Sequence, residues 1–198
     1  TSYGVVGGGT IKNNEIKNNG SGGISGSSGS RDVIEDNIIS NNSGSGISGY
    51  AFANTIQNNT IYNNSGVGMS LDGNTMTITK NIVVQNQGGG IRLADNSSTA
   101  SYNIIAGNTG GYAYQGKDCC MGKLINSTVY NNTYDNYSVY LSSYSGSKDF
   151  KQNSITSNTS TTTIFLNDGC CGGENKLSEN NIFNNSSSNL ITLDYGNS

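Results

Sequence analysis

The sequence predicts an all-β solenoid, with short parallel strands wound into about eight stacked coils of 22–27 residues. Three observations point there. One aliphatic recurs at a near-fixed period, as Ile16, Ile39, Ile61, Val83, Ile105, Val129, Ile155 and Ile182, at spacings of 23, 22, 22, 22, 24, 26 and 27 residues. An asparagine stands three residues after each of them: Asn19, Asn42, Asn64, Asn86, Asn108, Asn132, Asn158 and Asn185. The intervening segments are Gly and Asn clusters without the i, i+3, i+4 apolar spacing of a helix. Self-similarity at such a period is the mark of stacked supersecondary units, each needing its neighbours to bury a core.

Each coil divides into three strands. A first column lies five residues before the central aliphatic, at Ile11, Ile34, Ile56, Ile78, Ala100, Leu124, Phe150 and Leu177. The central aliphatic marks the second strand. A third column follows eight to ten residues later, read as Ile24, Ile47, Met69, Ile91, Ala113, Val139, Ile164 and Leu190. Between strands, Gly and Asn fit turns because both accept the left-handed backbone. A second asparagine column precedes the central aliphatic by two residues, at Asn14, Asn37, Asn59, Asn81, Asn103, Asn153 and Asn180, with Ser127 as the exception. Identical amides stacked about 4.8 Å apart can bond to the coils above and below. Both columns therefore read as structural ladders.

Composition narrows the function. The 198 residues suffice for one domain, taken as 1–198, although only 32% are hydrophobic. Asparagine contributes 32 residues and glycine 28, while net charge is only −3, so regular aliphatic placement favours a thin core over disorder. Nucleic acid is not an expected partner, because its binding needs clustered Lys and Arg. No apolar run approaches the roughly 20 residues that span a bilayer. Histidine and proline are absent, which removes the commonest general base and leaves no broken ladder bond. The chain starts at Thr1 without a charged-then-apolar leader. That suits a mature secreted form or a fragment, at an extracellular or cell-surface location.

The stretch Ile56 to Met69, IQNNTIYNNSGVGM, carries the pattern I-x-N-N-x-I-x-N-N-x-x-x-G-I with Met in its last place. It resembles the parallel β-helix repeat of the pectate-lyase-like right-handed β-helix superfamily, and the resemblance runs from Thr10 to about Leu193. It implies a right-handed parallel β-helix. It does not imply one activity, since lyases, hydrolases, epimerases, adhesins and viral fibres share that fold. Enzymes of the superfamily act on acidic polysaccharides with Asp, Arg, Lys or His clustered on one outer face. The polygalacturonase-like set has no match here, and an epimerase-like Asp-Pro-His cannot occur with neither Pro nor His in the chain. A lyase-like scheme needs acidic calcium ligands and an Arg or Lys base. Asp72, Arg92 and Asp95 come nearest to it, with Lys80 and Tyr114 nearby. The competing reading is a surface ion pair of little energetic weight.

The tyrosines of the sixth coil, Tyr130, Tyr134, Tyr137, Tyr140 and Tyr144, form the densest aromatic group. They suit a loop packed on its own coil, a subunit interface, or carbohydrate stacking, with Tyr114, Tyr134 and Tyr137 as candidate ligand contacts. Cys119, Cys120, Cys170 and Cys171 form two adjacent pairs at one loop phase, two coils apart. Disulfides across coils are the preferred pairing, adjacent-residue or intersubunit bonds the alternatives. The absence of Cys-x-x-Cys spacing speaks against a metal site, and no cofactor is expected. Among many Asn-x-Ser/Thr sequences, Asn96 and Asn136 are the glycosylation candidates, since Asn19 and Asn158 belong to the ladder. Strands of one phase at Tyr3 to Val6 and Leu190 to Leu193 would suit head-to-tail stacking, with lateral homo-assembly as the other mode. The sequence thus favours a non-enzymatic extracellular structural protein, a fibre, sheath, appendage or adhesin subunit. The alternative is a polysaccharide-binding or polysaccharide-cleaving β-helix.

Overall fold

A computed structural model describes residues 2–26, 32–50, 53–73, 75–94, 98–117, 123–142, 148–167 and 175–194. These residues form three parallel sheets of eight, eight and nine strands, and each strand pairs with its equivalents one coil before and after. The first sheet runs from Thr10–Lys12 to Asn175–Ser178, the second from Glu15–Lys17 to Asn181–Phe183, and the third from Val5–Val6 to Asn189–Asp194. No helix occurs among the described residues.

The first two aliphatic columns are continuous. Ile56 registers with Ile78 and Ile61 with Val83, without a shift. Nearly all of these side chains are fully buried between the three sheets. Each buried Ile or Leu removes enough apolar surface from water to contribute about 1.5–3 kcal/mol.

The third column differs from the sequence reading at two places. Ile91 faces Tyr114, and Tyr114 faces Val139, so Tyr114 rather than Ala113 continues the core row. Likewise Ile164 faces Ile191, not Leu190. The cause is a neighbouring column of close approach. At Gly23, Gly46, Gly68 and Gly90 a Cβ would meet both a branched methyl of the central aliphatic one coil on and a neighbouring backbone oxygen. Ala113, Ser138 and Thr163 occupy this column in the later coils, all fully buried. An aliphatic at 113 therefore mimics a core residue in sequence while sitting one place before the core row.

The paired asparagines divide two tasks. The first of each pair takes the left-handed conformation that turns the chain, as at Asn58 (φ 56°) and Asn63 (φ 54°). This position is held elsewhere by Lys80, Gln85, Tyr102 and Gly107, and the non-Gly residues there give up the usual right-handed preference. The second asparagine turns inward. Asn64 Nδ2 donates to Ile39 O, Tyr62 O and Asn86 Oδ1, while Asn64 Oδ1 accepts from Asn42 N and Asn42 Nδ2. Most of these bonds are buried, where an unpaired backbone group is costly. The same pattern recurs from Asn19 to Asn185 and from Asn14 to Asn180. At Ser127 it is halved, because Ser127 Oγ accepts from Asn103 N but not from the Asn103 amide side chain.

Candidate functional site on the outer face of the third sheet

The three outer faces carry different chemistry. The first sheet is polar and charged, with ion pairs such as Lys12–Glu35 at 2.8 Å and Lys123–Asp149 at 3.8 Å. The second is almost without charge. On the third, outward residues align in one row along the coil axis: Ser48, Ser70, Arg92, Gln115, Tyr140 and Phe165. Strand pleating places them all outward, since their neighbours Met69, Ile91, Tyr114, Val139 and Ile164 fill the core.

Two parts of this row are functionally distinctive. Arg92 Nη1 donates to Asp72 Oδ1 at 2.9 Å and to Ser70 Oγ at 3.4 Å, with both charged side chains more than a third exposed. Two coils further on lies an aromatic platform. Tyr140 stacks on Phe165 at 5.5 Å with rings 6° apart, and Tyr112 on Tyr137 at 6.2 Å with rings 4° apart. Tyr137 also meets Phe165 at 4.5 Å and Tyr140 at 5.6 Å. All four rings are half-buried, so each keeps a solvent-facing part. Burial raises the Tyr112 phenol above its ordinary value, with Tyr140 and Tyr137 adding to the effect. A cleft of about 140 Å³ joins the two parts, lined by Val67, Ile91, Arg92, Tyr112 and Gln115. A second hollow on the other side of Tyr112, of about 190 Å³, reaches Asp135 and Asn136.

The candidate residues read from sequence are thus partly gathered and partly dispersed. Asp72 and Arg92 meet as a surface ion pair, and Asp95 lies outside the described residues. Lys80 turns the corner between the first and second sheets, away from this face. Tyr114 and Tyr134, expected as ligand contacts, are corrected to core residues with 0% and 5% exposure. Tyr114 is inward by strand alternation and donates its hydroxyl to Lys123 O, and Tyr134 packs beside the ladder at Asn132. Burial pushes both phenols far above the usual tyrosine range. Tyr137 and Tyr140 do lie on the platform, while Tyr130 points out from the second sheet. Tyr144 and all four cysteines, Cys119, Cys120, Cys170 and Cys171, lie outside the described residues. So does Asn96, whereas Asn136 is exposed.

Sequence reading missed Tyr112, Gln115 and Phe165. The signal was present in the period, because Phe165 follows Tyr140 by 25 residues, one coil on. Among the described residues no group of three or more His, Cys, Asp or Glu comes together, and no helix is long and apolar enough to cross a membrane. The arrangement suits recognition: flat rings for an apolar ligand face, with a guanidinium and an amide beside them to take up polar groups.

Comparison with curated proteins gives no match. The model of the right-handed β-helix region matches residues 2–133, two thirds of the chain and the coils in which Asn-Asn corners and the glycine column are most regular. With three in-register parallel sheets and two inward asparagine ladders as its structural counterpart, the chain belongs to the right-handed β-helix family.

Proposed function

We propose that this chain is an extracellular structural β-helix of the adhesin kind, which holds a polysaccharide against the outer face of its third sheet. The observation that carries this reading is the platform of Tyr112, Tyr137, Tyr140 and Phe165 beside the Arg92 and Gln115 cleft. The CH faces of a sugar ring are apolar and lie flat on an aromatic ring, and its hydroxyls point sideways to donors and acceptors at the rim. The rings span three successive coils, about 10 Å along the axis, which suits two neighbouring sugars better than a single one. A rigid sheet holds them with little ordering left to do on binding. Arg92 serves here as an anchor for hydroxyl or carboxylate oxygens, oriented by Asp72.

Affinity electrophoresis against a panel of neutral and uronate polysaccharides tests this. The wild-type chain is expected to be retarded by at least one polymer. Tyr137→Ala/Tyr140→Ala, at two surface positions, is expected to weaken that retardation about tenfold or more, since each ring contributes about 0.5–1.5 kcal/mol beyond its area. If no polymer retards the wild type, or the double variant binds equally well, this role for the platform is wrong.

A further inference from the structure

The coils depart from their repeat at the corner between the second and third sheets. The ladder asparagine precedes the glycine-column residue by four positions at Asn86 and Gly90, by five at Asn108 and Ala113, and by six at Asn132 and Ser138. The sixth coil thus carries two more residues here than the fourth, and its corner residues Asp135 and Asn136 share a hollow with Gly110, Gly111 and Tyr112 of the coil before. Insertions into a solenoid repeat map to loops on one face, often the binding face. This corner is firmly held. Tyr134 is buried, Thr161 Oγ1 donates to Asp135 O at 2.6 Å, and Thr162 N donates to Asn136 O at 2.8 Å. Asp135 and Asn136 are nonetheless exposed, and Asp135 forms no ion pair among the described residues.

Resting on the saccharide reading above, we infer that this hollow is a subsite for one non-acidic sugar, which sets the charge of the polymer that the face accepts. At about 190 Å³ it lies below the roughly 300 Å³ at which sites for larger ligands begin, so it suits a single ring. Tyr112 walls it off from the Arg92 cleft and stacks on Tyr137, so a sugar in the hollow continues the platform. Gly110, at φ 78°, and Gly111 place no side chain between that sugar and the backbone. The Asp135 carboxylate only accepts, and its two oxygens suit adjacent hydroxyls of one ring, in bonds stronger than neutral ones. The Asn136 amide both donates and accepts beside it. A ligand carboxylate placed here meets the Asp135 charge, and none of the residues lining the hollow is a cation. Arg92 lines the other cleft, paired with Asp72. The platform therefore has a cationic end and an anionic end, and the sugar at the second is non-acidic.

Affinity electrophoresis at low ionic strength, with each uronate polymer run beside its carboxyl-reduced neutral form, reads this selectivity. The wild type is expected to hold the neutral form more tightly in every pair that retards it. Asp135→Asn keeps the shape and the backbone bond to Thr161 but removes the charge. It should shift the affinity ratio toward the uronate form by about threefold, the scale of an exposed charge contact, with circular dichroism unchanged. Tyr137→Ala/Tyr140→Ala should instead weaken both forms of a pair alike and leave the ratio as it was. A wild type that prefers the uronate forms, or a ratio that Asp135→Asn does not move while the platform variant still loses binding, would overturn the subsite and leave the saccharide reading standing. Retardation by no polymer at all overturns both.

Discussion

Asn86→Leu is expected to lower stability by about 4 kcal/mol, one of the largest single-residue effects in the protein. Asn86 Nδ2 donates to Ile61 O, Val84 O and Asn108 Oδ1, and Asn86 Oδ1 accepts from Asn64 N and Asn64 Nδ2. Leucine is similar in size, so the core volume is kept while five hydrogen bonds go. The bonds to Ile61 O and Asn108 Oδ1 and those from Asn64 are buried, and a buried group left unsatisfied costs about 1–3 kcal/mol. Exposed asparagines of the same corners, such as Asn63, serve as controls and should tolerate replacement by glycine, which accepts the same positive φ. Ser127 sets the intermediate case. It keeps one ladder bond to the coil before it, so Asn86→Ser should fall between wild type and leucine. Chemical denaturation midpoints of the three variants check the order. Equal midpoints for Asn86→Leu and wild type would mean that the ladder contributes nothing net.

Gly68→Ala is expected to cost about 2–3 kcal/mol through overpacking, although it adds one methyl to a strand entry where alanine is otherwise harmless. A Cβ at Gly68 would collide with Val83 Cγ1 and lie 2.8 Å from Gly90 O and 3.0 Å from Asn86 Nδ2. Only the first of these is a side chain that can rotate. The other two are a backbone carbonyl and a ladder amide, and moving either strains the coil stack. Ala113 holds the corresponding position one coil past Gly90 and is fully buried there, so the reverse change Ala113→Gly should cost about 1 kcal/mol or less. Thermal melting of both variants separates this account from a general dislike of side chains in the column. A Gly68→Ala protein that melts like wild type would remove the close-packing argument.

The solenoid was legible because its determinants are periodic. Ile61 and Val83, or Asn64 and Asn86, repeat at one coil length, and parallel in-register pairing leaves no freedom in where they go. The third sheet was less legible where the period changes. Coil length grows past Ile105, and the glycine column admits Ala113, so a one-residue offset hid Tyr114 in the core. Burial on one side of a strand is set by parity, and a single slip moves a tyrosine from surface to interior.

The site was legible only in part for a related reason. Arg92 and Asp72 are 20 residues apart and were expected close because the repeat places them diagonally on adjacent strands. The tyrosine cluster of the sixth coil looked like one patch in sequence, yet Tyr130, Tyr134 and Tyr137 belong to three environments. Neighbours along a coil diverge around its circumference, whereas neighbours along the axis are a coil length apart. Tyr112, Tyr137 and Phe165 assemble in that axial direction, which reading by local density cannot see.

The central claim is that inward asparagine ladders lock each coil to the next. Hydrogen exchange of the asparagine side-chain amides, followed by NMR, tests it most directly. The Nδ2 protons of Asn64, Asn86, Asn108 and Asn132 should persist long after those of the exposed Asn63 and Asn131 have exchanged. Exchange of the ladder amides at the same rate as the exposed pair would contradict the account.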